Sequence, residues 1–384
     1  MNVITPLSPS VLPSGVRSRF IQDVNGITFH VLEAGFESPG RQLVLLLHGF
    51  PELAYSWRKV MAPLAAAGYH VIAPDVRGYG RSGGTEVKHS DDMRPFGTLN
   101  KISDMLALVS ALGYQSVAGV FGHDQGSPLA GWCALTRPDV FKSVIMMSSP
   151  FRGAPEPWPF NTVNVPAPSR SPSRIHEDLT LLKPPRKYYM NYYTLPEAND
   201  NMWHAKQGLH AFLRAYYHMK SADWVANKPF PLTALIASEW EKLPRYYVMD
   251  LAKGMAESVA PEMPSEKEIA QCKWLPDQEL KVYSEEYGRH GFQGGLQGYR
   301  IGGLDKELRI FAGRTIDVPS LFIGGQSDWG VYQTPGGLEY LEQTLTTQFK
   351  GTVLVEGAGH WVQQEQPEQV SKIFIEFLAG TLAH

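Results

Sequence analysis

Gly122-His123-Asp124-Gln125-Gly126 follows the apolar run Val117 to Phe121 and precedes a helix-like stretch from Ser127 to Thr136. Small residues two before and two after the central position let a strand turn sharply into a helix. Such a turn lifts one side chain into a cleft and aims backbone N–H groups at it. The central residue is an aspartate, where an esterase would carry its serine. An unperturbed aspartate has a pKa of about 3.9, so Asp124 is ionised at neutral pH and can attack a saturated carbon with no base to activate it. That chemistry points away from ordinary ester hydrolysis.

Around this turn, from about Ile27 to Pro150, short apolar runs alternate with helix-period stretches, the pattern of a mostly parallel sheet with helices on both faces. The predicted strands are Ile27 to Glu33, Gln42 to Leu47, Tyr69 to Pro74, Val117 to Phe121 and Ser143 to Ser148. Thr98 to Leu112 reads as a helix, with Thr98 capping its start and Ile102, Met105, Leu106, Val109 and Leu112 on one core-facing side. After Pro150 the pattern breaks. Pro, Ser and Arg dominate through Lys187, although Trp158, Phe160 and Leu179 to Leu182 suggest that parts of this stretch pack down. Aromatic-rich helical sequence follows from Tyr188 to Gly298, strand signals return at Val318 to Ile323 and Thr352 to Glu356, and a helix near Pro367 to Ala379 closes the chain. The expected fold class is therefore α/β: residues 1–150 and 311–384 form one core, and residues 151–310 an inserted, mainly helical cap.

The 384 residues and their 43% apolar content support a sizeable core. Acids and bases are interspersed, 38 against 35 for a formal charge of -3, and no basic block tracks a phosphate backbone. Nucleic acid is thus excluded as an expected partner. Cys133 and Cys272 supply neither a disulfide framework nor metal-ligand spacing and read as free thiols of a reducing compartment. Met1 to Phe20 lacks the continuous apolar stretch of a secretory signal, no segment approaches the roughly 20 apolar residues of a membrane span, and the terminal Leu-Ala-His is not a peroxisomal address. The expectation is a soluble cytoplasmic protein that needs no metal or organic cofactor. Its oligomeric state is left open, with a homodimer among the options.

Three loops at the carboxyl ends of predicted strands carry candidate chemistry, the edge where open α/β sheets place their sites. Asp124 is the first; Gln326-Ser327-Asp328 follows the strand ending at Ile323; Gly357-Ala358-Gly359-His360-Trp361 follows the strand ending at Glu356. Nucleophile, acid, histidine is the chain order of the α/β-hydrolase triad, which makes His360 the candidate base and Asp328 its orienting carboxylate. Leu47-His48-Gly49-Phe50-Pro51-Glu52 lies after the second strand, where a Gly-x-Pro turn can aim the Phe50 N–H into the cleft. With the Gln125 N–H it would form an oxyanion hole.

With these motifs the chain resembles an α/β-hydrolase of the epoxide hydrolase family, the group that also includes the haloalkane dehalogenases. The resemblance is carried by His48-Gly49-Phe50-Pro51-Glu52, Asp75-Val76-Arg77-Gly78-Tyr79-Gly80-Arg81-Ser82, Gly122-His123-Asp124-Gln125-Gly126 and Gly359-His360-Trp361. It implies a small apolar epoxide and water as the reaction partners, and two cap tyrosines that hydrogen-bond the epoxide oxygen. Tyr299, in Leu296-Gln297-Gly298-Tyr299-Arg300, matches the second of these, and Tyr189, in Tyr189-Met190-Asn191-Tyr192-Tyr193, the first, although Tyr188, Tyr192, Tyr193 and Tyr216 compete with it. His48, Pro51 and Trp361, set within the motifs, are expected to touch substrate. One departure stands out: the family usually has Trp after the nucleophile, and this chain has Gln125. Gln125 cannot supply the indole donor that holds a leaving halide, which lowers carbon–halogen cleavage as the rival activity. A ligand-binding protein that keeps the fold without turnover is the rival of another class.

Overall fold

The computed structural model describes residues 4–154, 174–301 and 305–382. Within them, β1 (Val16–Val24), β2 (Ile27–Ala34), β3 (Leu43–Leu47), β4 (His70–Pro74), β5 (Gly119–His123) and β6 (Val144–Met147) precede a short antiparallel ribbon of β7 (Arg186–Tyr188) and β8 (Val248–Asp250); β9 (Ser320–Gly325) and β10 (Phe349–Val355) follow. All but the ribbon join one sheet in the order β1-β2-β4-β3-β5-β6-β9-β10. β2 pairs antiparallel with β1 and with β4, and every pairing from β4 to β10 is parallel. β3, β4, β5 and β6 are buried along their whole length, so they read as unbroken apolar runs and not as alternating ones.

The predicted strands recur with shifts of one to three residues, and two differences have physical reasons. β5 runs to His123, placing Asp124 directly beyond the strand, while Val117 forms only an isolated bridge with Phe141. β1 was not expected. It is an edge strand whose Arg17 and Arg19 reach across to Glu33 of β2, each at 2.7 Å from Nε to Oε2. Charged residues that protect a sheet edge hide its strand pattern. The helix predicted from Thr98 spans Thr98–Ala111, but its cap is Gly97, and the Thr98 hydroxyl donates to Asp305 instead. Trp158 and Phe160 lie outside the described residues; Leu179 is buried and Leu181 exposed.

The helices between β6 and β9 sit over the carboxyl edge of the sheet. Tyr217 of the helix Leu209–Lys220 donates its hydroxyl to the Pro51 carbonyl at 3.0 Å. Tyr287 of the helix Asp277–His290 does the same to the Glu52 carbonyl at 3.2 Å. That second helix is also ion-paired to the core at both ends, Glu279 with buried Arg58 and Glu286 with Arg81. Among the described residues no helix is long and apolar enough to cross a membrane.

Candidate active site

Asp124 stands between β5 and the helix Gly126–Thr136 with φ 53°, a left-handed conformation that non-glycine residues rarely adopt. The surrounding glycines permit it. A Cβ on Gly122 would lie 1.9 Å from the Gly126 carbonyl oxygen, one on Gly126 would lie 2.1 Å from that of Leu47, and one on Gly49 would lie 2.4 Å from Asp124 Oδ1. The backbone strain is of order 1–3 kcal/mol, the kind of cost that persists where the surroundings over-determine a site.

The Phe50 N–H donates to Asp124 Oδ1 at 2.9 Å. On the other side of the carboxylate, His360 Nε2 lies 3.3 Å from Oδ2 without the alignment of a hydrogen bond. His360 Nδ1 is 3.0 Å from Asp328 Oδ1, which also accepts from the Gly330 N–H at 2.7 Å. Burial opposes ionisation of Asp124, but His360 and Lys220 hold its carboxyl well below the usual range. For His360, burial and the Lys220 ammonium oppose protonation, and the Asp328 and Asp124 carboxylates outweigh them to raise its pKa. The second expected oxyanion donor, the Gln125 amide, makes no hydrogen bond to Asp124 among the described residues.

Tyr189 and Tyr299 line the same cleft as Asp124, about 230 Å³ in volume, together with Gln125, Trp132, Phe151 and Met190. Their ring centroids are 6.3 Å apart. The competing tyrosines are occupied: Tyr188 donates to Gln333, Tyr192 to Asn201, and Tyr193 pairs with the Tyr216 hydroxyl at 3.0 Å. The Tyr299 hydroxyl has no partner among the described residues, and the Tyr189 hydroxyl is shared only with the neighbouring Tyr188 phenol. Burial, with the Asp124 carboxylate adding to it, pushes both phenols well above their ordinary pKa. They stay neutral O–H donors.

His48, Pro51 and Trp361, expected to touch substrate, are not among the residues lining this cleft, and each makes contacts within the framework. His48 accepts the Val76 N–H at Nε2, 3.0 Å, and places Nδ1 2.9 Å from the Gly49 carbonyl. Pro51 offers its carbonyl to Tyr217, and fully buried Trp361 donates its indole N–H to the Tyr217 carbonyl at 2.8 Å. Gln125 lines the cleft, and its Oε1 accepts from the Tyr79 hydroxyl at 3.1 Å.

Sequence reasoning passed over the residues that hold the His360 loop. Glu365 accepts the Gly359 and Trp361 N–H groups on either side of His360, both at 2.9 Å, and the Ala222 N–H at 2.8 Å. Below it, His123 bridges the His360 carbonyl (2.7 Å) and the buried Glu52 carboxylate (2.6 Å). The loop is pressed so closely on residues 220–222 that a Cβ on Gly359 would lie 2.5 Å from the Lys220 carbonyl oxygen. Gly359→Ala is expected to cost about 1–3 kcal/mol, read as a lowered denaturation midpoint in urea with an unchanged slope. A midpoint equal to that of the unsubstituted protein would show that the two backbones are not in contact.

Residues 42–177 match the alpha/beta hydrolase fold family. Epoxide hydrolase B of Mycobacterium tuberculosis is 30% identical over 361 residues, covering 91% of this chain and 95% of its own. Epoxide hydrolase A of the same organism is 30% identical over 367 residues, covering 95% and 98%. Among solved structures, an epoxide hydrolase from an endophytic Streptomyces superposes with a TM-score of 0.74 at 30% identity and 96% coverage of both chains. With this similarity running through the elbow, the histidine loop and the helices between them, the chain belongs to the epoxide hydrolase family of the α/β-hydrolase fold.

Proposed function

We propose that this enzyme hydrolyses an epoxide to a vicinal diol through a covalent ester on Asp124. The observation that carries the reading is the convergence on the ionised Asp124 carboxylate of a histidine–aspartate pair and of two phenols that line its cleft. Oδ1 is held by the Phe50 amide, so Oδ2 is the oxygen that attacks an epoxide carbon from the back. The carbon–oxygen bond breaks, and Tyr189 and Tyr299 supply hydrogen bonds to an oxygen that would otherwise leave as a strongly basic alkoxide. Water, deprotonated by His360 with Asp328 stabilising the imidazolium, then attacks the ester carbonyl. Negative charge develops on Oδ1 against the Phe50 N–H, with the Gln125 amide as the second proposed donor. Collapse releases the diol, which takes the proton from His360, and restores the carboxylate.

One turnover in oxygen-18 water tests the route. The first diol is expected to carry no label, and Asp124 to gain it. Label appearing directly in the first diol, with none in Asp124, would replace the ester by direct attack of water. As to the setting, Cys133 and Cys272 are both free thiols, which supports a reducing cytoplasmic compartment.

A further inference from the structure

Lys220 ends the helix Leu209–Lys220 and is 3% exposed. A buried ammonium is ordinarily ion-paired. This one has no carboxylate within 4.0 Å and no hydrogen-bond acceptor among the described residues. Four aromatic rings surround it: Trp361 at 5.2 Å from Nζ to the centroid, Tyr216 and Tyr247 at 5.5 Å, and Tyr246 at 5.8 Å. Cation–π attraction holds the charge there without neutralising it. The Trp361 ring in turn packs 4.7 Å from the His360 imidazole. The Lys220 backbone is fixed to the same loop, accepting the His360 N–H at 2.8 Å, and two residues later Ala222 shares Glu365 with Gly359 and Trp361. The Lys220 backbone is thus fixed relative to the histidine, and the four rings bound the space its ammonium occupies.

We propose that Lys220 is a positioning residue for the base, an uncompensated cation fixed beside the His360 loop that drives the imidazole toward its neutral form once Asp124 has been esterified. This rests on the covalent reading above. The groups facing His360 are Asp124, Asp328, His123, Lys220 and, behind His123, Glu52. In the resting enzyme two adjacent carboxylates favour the imidazolium. Ester formation removes the charge of Asp124, and the alkoxide formed at that moment takes the imidazolium proton, passed through the phenols or water; the Asp124 carboxyl returns that proton when the ester is hydrolysed. Lys220 then weighs against Asp328 alone among the close charges, and the imidazole is released as a base when the ester needs one. The burial and nearby carboxylates acting on Lys220 itself pull in opposite directions, with burial prevailing to lower its pKa.

The test compares Lys220→Met, which fills the cage with an uncharged chain of similar length, and Lys220→Arg, which keeps the charge. Ester hydrolysis is followed against pH in single turnovers, after urea denaturation has shown that each variant is folded. Loss of the cation raises the imidazole pKa, so the acid limb of hydrolysis in Lys220→Met is expected to move up by about one pH unit, a roughly tenfold slower rate on that limb. Lys220→Arg is expected to bring the limb back towards its original position. An acid limb that stays in place in folded Lys220→Met overturns the proposal, whether or not the rate falls at every pH. If the unsubstituted enzyme itself accumulates no ester, the covalent reading fails first, and that outcome is told apart because it appears before any substitution is made.

Discussion

His360→Gln incubated with an epoxide is expected to gain the mass of one substrate molecule on Asp124 and to stop there. Alkylation needs an ionised carboxylate and donors for the epoxide oxygen, and neither is His360. Asp124 keeps the Phe50 amide on Oδ1 and the Lys220 charge, two of the groups that hold its carboxyl ionised against burial. Hydrolysis is different. Water attacking an ester needs a base, and His360 is the titratable group set 3.3 Å from Oδ2 with its other nitrogen on Asp328. General-base contributions of this kind are typically 10²–10⁴-fold, so steady-state diol formation should fall by about 10³-fold or more. Intact-protein mass spectrometry and peptide mapping read the adduct directly. A variant that binds substrate with no added mass, or one that still releases diol at the original rate, would overturn the division of labour between Asp124 and His360.

Replacing both Tyr189 and Tyr299 by Phe is expected to slow ester formation by roughly 10⁴-fold, and each single replacement by roughly 10²-fold. The substitution leaves the ring packing in place, including the contact of Tyr299 with Phe50 at 5.6 Å and of Tyr189 with Tyr193 at 5.4 Å. Only the two O–H donors go. Single-turnover ester formation is the measurement, because it isolates the step in which the epoxide oxygen gains charge; hydrolysis of ester already formed should change little. Were Tyr189→Phe to alkylate as fast as the unsubstituted enzyme, the first donor would have to be another phenol. Tyr193, with its ring 4.8 Å from that of Tyr299, would then be the next to test.

The elbow was legible because its demands are local. Gly122 and Gly126 are required because a Cβ at either would lie within 1.9 to 2.1 Å of a backbone carbonyl oxygen, and such requirements leave residues that can be read off a single chain. The triad order was legible for a similar reason, since each member sits in the loop just beyond the carboxyl end of a strand, β5, β9 or β10. The tyrosine choice was not: five phenols between residues 188 and 216 look alike until the fold is known, and what distinguishes Tyr189 is that it lines the Asp124 cleft. The framework contacts of the motif positions His48, Pro51 and Trp361 were not legible either. They lie beside the chemistry in sequence, but their polar groups are spent on Val76, Gly49 and Tyr217. Lys220 and Glu365 were illegible because a charged residue on a helix ordinarily faces water. Only the fold shows that theirs face the histidine loop.

Gly294, at the start of the helix Gln293–Arg300 that carries Tyr299, approaches Gly78 so closely that a Cβ there would lie 2.1 Å from the Gly78 carbonyl oxygen. The preceding helix is clamped to the core through Arg58 and Arg81. Tyr299, the proposed donor to the epoxide oxygen, is thus carried on a helix braced against the core that positions Asp124. If Tyr299 takes the proposed role, the choice between the two ring carbons is expected to respond to substitutions at these contacts, well away from the cavity wall.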